Sequence, residues 1–465
     1  MRERPRLTIL GGGVSGLAAG YFAKKRGIPF EIHEAGERAG GNCVTFRHGG
    51  FALDSGAHRY HDRNAEATEE LRSLLGPRLR EISVPSQIYH RGKYIDFPLS
   101  PLNLMTSLGP AALARVALEV VRARMEDRGN GTGDFEHYAV LKYGKTLSSL
   151  FLLNYSEKLW GISGLDLYQE ASSNRLEGLT LGTFIKEAFF GKKAKVRHLD
   201  GSFYYPDGGI EEIPEALAGS CGRDAVRLRS KVTRIHHDET RILKVTLSDT
   251  GTIPVDSVIS TIPVTEFVRA MDPPPPDQVL AAVRCLGFRQ VLLVAVFLGR
   301  DSVTGNATVY FPSPDFPFTR VYEPSNRSRL MSPPGHTSLV AEIPCAEGDE
   351  ILKIGDAELV RRFGSTLACI GWIREKDIEG SAVHRLSDAY PVLSIEAEKR
   401  RAVVFGYLEG FRNLRLLGRS AQFRYLHIHN LMAAARKMSE SFDSPAGANA
   451  PQPASEKIPT CVRPA

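Results

Sequence analysis

Three features of this 465-residue sequence predict a mixed α/β fold. A short apolar run, Leu7–Leu10, has the length and character of a buried parallel strand. It runs directly into Gly11-Gly12-Gly13-Val14-Ser15-Gly16, a G-x-G-x-x-G turn. A helical pattern follows, with Leu17, Ala18, Tyr21 and Phe22 on one side, and a second strand ends at Glu34. Together these make a Rossmann-type β-α-β unit, the fold that seats a dinucleotide.

Each part of the unit has a physical reason. Gly11 permits a tight turn, Gly13 lets the backbone approach a pyrophosphate, and Gly16 lets helix and strand pack closely. The helix N-terminus at Val14 and Ser15 then faces two negative phosphates. Lys24, Lys25 and Arg26 suit the helix C-terminus, and Gly27 stops it. Glu34 lies 18 residues after Gly16, where an acid accepts hydrogen bonds from ribose hydroxyls. The unit alone does not separate NAD from FAD. The next residues, Arg38-Ala39-Gly40-Gly41-Asn42, resemble the E-x-x-x-R-x-G-G extension of FAD proteins of the amine oxidase and protoporphyrinogen oxidase type. Small residues let the backbone lie against the ribityl-pyrophosphate, and the arginine supplies positive charge. The resemblance implies that the cofactor is FAD.

The likeness extends along most of the chain. Gly40-Gly41-Asn42-Cys43 and Asp54-Ser55-Gly56-Ala57-His58-Arg59-Tyr60-His61 resemble a G-G-N run and a G-x-H segment of UDP-galactopyranose mutases and their protoporphyrinogen-oxidase-like relatives. Gly92-Lys93 to Pro98, Tyr155-Ser156-Glu157-Lys158-Leu159-Trp160-Gly161 and Tyr205-Pro206-Asp207-Gly208-Gly209 match further segments in the same order. Ser260-Thr261-Ile262-Pro263 resembles the "T-x-P" strand end of amine oxidases. Gly418-Arg419 with Phe423-Arg424-Tyr425-Leu426 resembles the C-terminal segment that closes over the flavin. The implied architecture is a discontinuous FAD-binding domain (1–64, 204–264 and 405–440), a mainly helical insert (65–203) and a mixed-sheet substrate-binding domain (265–404). Val232 is the implied backbone contact to adenine. Within the insert, Leu113, Val116, Ala117, Val120 and Val121 recur at helical spacing and read as a core stripe. Residues 441–465, rich in Pro, Ala and Ser, read as a disordered tail.

Composition narrows the function. A net charge of +6 suits an anionic cofactor and substrate, and the basic residues are scattered with no nucleic-acid module among them. Six cysteines without C-x-x-C spacing read as reduced thiols, giving a cytoplasmic expectation. No apolar stretch approaches the ~20 residues that span a bilayer, so no membrane span is expected; a peripheral association stays open and is the lesser reading beside a soluble enzyme. His427 and His429 lack an evident third ligand, so no metal site is expected.

Two chemistries remain open. In a nucleotide-sugar mutase, reduced flavin attacks the sugar's anomeric carbon and the ring closes again at another hydroxyl. The resemblance places Arg175 and Arg289, Tyr390 and Tyr425 at the diphosphate, Trp160 near the nucleotide and His58 by the flavin edge. Bidentate arginines suit an anionic nucleotide sugar. In an ordinary oxidoreductase the flavin takes hydride from a C–H or C–N substrate. An external electron donor or acceptor completes either scheme. Arg59 after His58, the Asn174–Leu181 stretch, and His427 and His429 in place of two acids depart from strict mutases. The matching arginines and tyrosines, with Gly41-Asn42, favour nucleotide-sugar chemistry. The bland alternatives are structural ion pairs for the arginines and core packing for Trp160 and the tyrosines.

Overall fold

The computed structural model describes residues 6–97, 101–127, 133–169 and 202–442. Two compact units form. The first gathers Met1–Gly41, Leu217–Arg284 and Arg401–Ala465, and the second Asn42–Ala216 and Cys285–Arg400.

In the first unit, β1 (Leu7–Leu10) lies at the centre of a five-stranded parallel sheet. Its neighbours are β2 (Phe30–His33) and the strand Ser257–Ser260; Leu414–Leu416 and Val226–Arg227 form the edges. All four β1 residues are buried, as expected of a parallel strand covered on both faces. The first helix, α1 (Val14–Lys25), buries every residue from Val14 to Ala23. The C-terminal helix Ile428–Ser441 packs along it, tied by Arg26 Nε donating to Ser439 Oγ at 3.0 Å. A four-stranded sheet with Val232–His237 in its interior completes this unit.

The second unit is built on a seven-stranded mixed sheet. Its strands run in the order Ile378–Pro391, Phe288–Leu298, Thr337–Cys345, Arg320–Tyr322, Thr308–Tyr310, Ser86–His90 and Lys93–Phe97. The strand period of two gives its faces opposite characters. Leu292, Val294, Val309, Val321, Leu339 and Ala341 bury against Leu359, Phe363 and Leu367 of the helix Asp356–Cys369. Arg289, Tyr310, Arg320 and Glu342 alternate with them and lie on the other face.

The helix Pro110–Glu126 departs from the expected stripe. Val116 and Val120 are buried, but Ala117 is exposed and Val121 is 52% exposed. Each residue turns a helix by about 100°, so 117 and 121 stand one step past the narrow packed face. No described helix is long and apolar enough to cross a membrane.

Candidate functional site

The opening turn of the first unit is built from backbone. Gly11 has φ +99°, and a Cβ on Gly16 would run into the Gly11 carbonyl. Gly13 is different. Its φ is −68°, and a Cβ there would meet only Gly41 Cα, at 3.8 Å. The protein's own packing therefore does not demand glycine at 13, whereas close approach of a phosphate does. The first turn of α1 has neither a side-chain cap nor an acidic residue, which leaves its N–H groups for an anion.

A second loop lies along the first. Gly40 N donates to Gly12 O at 2.8 Å, and Arg38 Nη2 donates to Gly41 O at 3.3 Å. Glu34 accepts from Gly12 N at 2.7 Å and Gly36 N at 2.8 Å, which fixes its carboxylate at the end of β2. Gly418, at φ +101°, lies so close to Ser15 that a Cβ would strike its hydroxyl. Arg419 Nη2 donates to Leu426 O at 2.9 Å, and its guanidinium stands 4.9 Å from the Tyr425 ring centroid. Val232 opens its strand, half-buried. The glycine cradle, an uncapped helix end and a fixed acid all fit a dinucleotide.

Of the candidates placed near the substrate, Tyr425 belongs to this first unit, and Arg175 lies outside the described residues. The second unit brings Arg289, Tyr390 and Trp160 together. Arg289 and Tyr390 are directly opposed across two antiparallel strands. The Trp160 ring lies 6.2 Å from Tyr390 at 73°, an edge-to-face contact. Arg289 is only 8% exposed, its Nε is buried without a hydrogen bond, and it has no carboxylate ion-pair partner among the described residues. Burial lowers its pKa. Gly161, at φ +71°, makes room for it, since a Cβ there would collide with the guanidinium.

Other side chains continue this row. Arg320 Nη2 donates to the Tyr390 hydroxyl at 3.3 Å and pairs with Glu342 at 2.6 Å. Burial opposes the charge on Arg320, but Glu342 and the surrounding tyrosines raise its pKa well above the ordinary value. Glu342 also accepts from Ala57 N at 2.5 Å, anchoring the turn before His58. The Ser55 hydroxyl donates to Asn42 O, which leaves His58 Nε2, 3.0 Å away, to donate to Ser55. Asn42 itself donates to Asp388 O at 3.3 Å. Lys158 donates to the carbonyls of Phe311, Ser313 and Phe318 at 2.6, 2.9 and 2.7 Å, pinning the helix Asn154–Trp160. Burial pushes its pKa down to about 7.

Arg320, Glu342 and Lys158 did not emerge as candidates from the sequence. For Glu342 a signal existed: it is the single acid in Thr337–Cys345, a run whose residues are all buried. A lone carboxylate in such a run requires a buried partner. His427 and His429 stack with ring centroids 5.6 Å apart, and no group of three or more metal-ligating side chains occurs among the described residues.

A parallel sheet with a glycine cradle at its first helix, followed by a mixed sheet bearing arginines and tyrosines, defines a flavoprotein class. The family described as flavin containing amine oxidoreductase matches residues 14–402. The chain belongs to that family, and its cofactor is FAD. It is 36% identical over 270 residues to protoporphyrinogen oxidase 2, chloroplastic/mitochondrial, of Arabidopsis thaliana, covering 50% of this chain and 51% of that protein. The chain thus spans about half the length of that curated relative. It is 20% identical over 398 residues to coproporphyrinogen III oxidase of Bacillus subtilis (strain 168), covering 77% and 81% respectively. Among solved structures, reduced UDP-galactopyranose mutase superposes with a TM-score of 0.82 at 18% identity, covering 96% of this chain and 98% of that one. That likeness is one of fold.

Proposed function

We propose that this FAD-dependent enzyme of the oxidoreductase superfamily isomerises a nucleotide sugar between pyranose and furanose forms, with the flavin reduced. One observation carries the reading: Arg289 is a buried guanidinium without a carboxylate partner among the described residues. An arginine in that state is expensive unless an anion joins it. The Tyr390 hydroxyl beside it adds a donor for the phosphates of a nucleoside diphosphate, and Trp160 packs edge-to-face behind that ring.

Gly11, Gly13, Gly16 and the α1 terminus at Val14 and Ser15 would hold the FAD pyrophosphate, and Glu34 the ribose. Arg38, Gly40, Gly41 and Asn42 would line the cofactor's path, with Val232, Gly418, Arg419, Tyr425 and Leu426 as further contacts. When bound and reduced, FAD supplies the nucleophile for the anomeric carbon. The protein supplies position. Arg289 and Tyr390 hold the diphosphate leaving group, and Arg175 would join them. Arg320, neutralised by Glu342, orients the Tyr390 hydroxyl. His58, held by Ser55, keeps its donating tautomer.

The test is product analysis. Dithionite-reduced protein should convert a UDP- or TDP-hexopyranose into its furanose isomer, separable by chromatography. No isomer across a panel of sugar nucleotides, with turnover of an amine or ring substrate by the oxidised protein, would reject the reading. The second reading, hydride abstraction by an oxidase or dehydrogenase, is favoured by the 36% identity to the plant protoporphyrinogen oxidase.

A further inference from the structure

The second unit holds another cation that the diphosphate does not use. Arg59 follows His58 in the chain. Its guanidinium stands 4.9 Å from the Phe203 ring centroid, and its Nη2 donates to Ser86 Oγ at 2.5 Å. That is the only hydrogen bond of the Arg59 side chain among the described residues, and no carboxylate pairs with it there. A guanidinium offers five N–H donors, so most of its capacity remains.

The acids nearby are already committed. Glu342 serves Arg320 and Ala57 N. Asp54 accepts from Tyr205, Thr45 and Ile210 N, and burial raises its pKa. Arg327 donates through its two terminal nitrogens to His58 O, Ala307 O and Thr308 Oγ1 and adds a further positive charge. Burial and the neighbouring arginines lower the Arg59 pKa to about 10, still far above neutrality, so it stays charged.

Order along the sheet decides which end of a substrate Arg59 meets. Arg289 and Tyr390 face each other on adjacent strands, with Trp160 beside them. Arg320, two strands further across from Arg289, touches Tyr390. Tyr310 lies opposite Arg320 on the next strand, with its ring 5.7 Å from Tyr155. Arg59 donates to Ser86, which pairs with Thr308 on the strand beyond Arg320, and its charge acts on Tyr310, Arg327, Arg320 and Tyr155, whereas Arg289 sits at the other end opposite Tyr390. Arg59 and Arg289 therefore terminate opposite ends of one row.

We infer that Arg59 binds a carboxylate on the sugar, so that the substrate class is a nucleoside diphosphate uronic acid. This rests on the nucleotide-sugar reading above. With the diphosphate at Arg289 and Tyr390, the sugar extends past Arg320 toward Tyr155, Tyr310 and Arg59. A planar guanidinium pairs with a carboxylate through two parallel hydrogen bonds.

Calorimetric titration of the FAD-loaded protein with UDP, UDP-glucose and UDP-glucuronate tests the assignment. UDP-glucuronate should bind roughly tenfold or more tighter than UDP-glucose, as a charge-assisted pair supplies. Arg59→Gln should remove that preference and leave UDP-glucose affinity unchanged; Arg59→Lys should retain part of it. An unaltered visible flavin band verifies that each variant has folded. Equal affinity of the unmodified protein for both sugars, with UDP binding intact, overturns the uronate assignment and leaves the mutase reading standing. Failure of UDP itself to bind at millimolar concentration overturns both.

Discussion

Replacing Arg289 with methionine separates binding from stability. The unmodified side chain is buried, its Nε makes no hydrogen bond, and no described carboxylate lies within ion-pair distance, Asp349 acting on it only from further away. Methionine fills similar volume without the charge. Removing a buried cation that has no ion-pair partner among the described residues should leave the free protein as stable or more stable, by about 1 kcal/mol. Binding should move the other way. Two charge-assisted hydrogen bonds to phosphate, at about 1.5 kcal/mol or more each, amount to about 3 kcal/mol, or a loss of about 100-fold in UDP affinity. The assay pairs calorimetric UDP titration with denaturant unfolding, and bound flavin is read from the visible spectrum. A variant that loses its flavin, or falls by several kcal/mol in stability while binding UDP normally, would mean that Arg289 is a structural residue and refute the argument.

Two further outcomes follow from local geometry. Gly13→Ala should leave the apoprotein fold intact, because φ is −68° and the new Cβ meets only Gly41 Cα at 3.8 Å. FAD retention through gel filtration should nonetheless drop sharply; full retention would mean that no phosphate approaches Gly13. His384 is pressed down to about 4, first by burial and then by His48, whose Nε2 lies 2.8 Å from its own. The unfolded imidazole titrates near 6.5, so between these values the unfolded chain binds more protons. Stability contributed by this group is complete above pH 6.5 and is lost as pH falls toward 4, by roughly 1–3 kcal/mol after allowing for its partial exposure. Denaturant midpoints at pH 7 and pH 4.5 should differ less in His384→Gln; an unchanged difference would clear this pair of responsibility.

The cradle was legible in the sequence because its determinants are local. Gly11, Gly13, Gly16 and Glu34 sit within one β-α-β unit, so spacing alone orders them along the turn. The row on the large sheet was legible only in part. Arg289, Tyr390 and Trp160 stood out by resemblance, but what makes Arg289 informative is the lack of a partner, which no spacing reveals. Glu342 reaches Ala57 across 285 residues of chain, and Arg320 reaches Tyr390 across 70. Such pairings are products of strand order, which the local pattern does not encode. The outer face of the helix Pro110–Glu126 departs from its sequence pattern for a related reason: five apolar residues at helical spacing define a stripe wider than the surface it packs against, and the excess, Ala117 and Val121, faces outward.

The account turns on a nucleoside diphosphate reaching the Trp160–Tyr390–Arg289 corner. The chain has only two tryptophans, so a Trp372→Phe background isolates Trp160, which is fully buried against Tyr390. Titrating that FAD-loaded protein with UDP should change tryptophan emission along a saturable one-to-one curve, and Arg289→Met should shift the midpoint to about 100-fold higher UDP. Flat emission up to millimolar UDP, from protein carrying its full complement of flavin, would contradict the account.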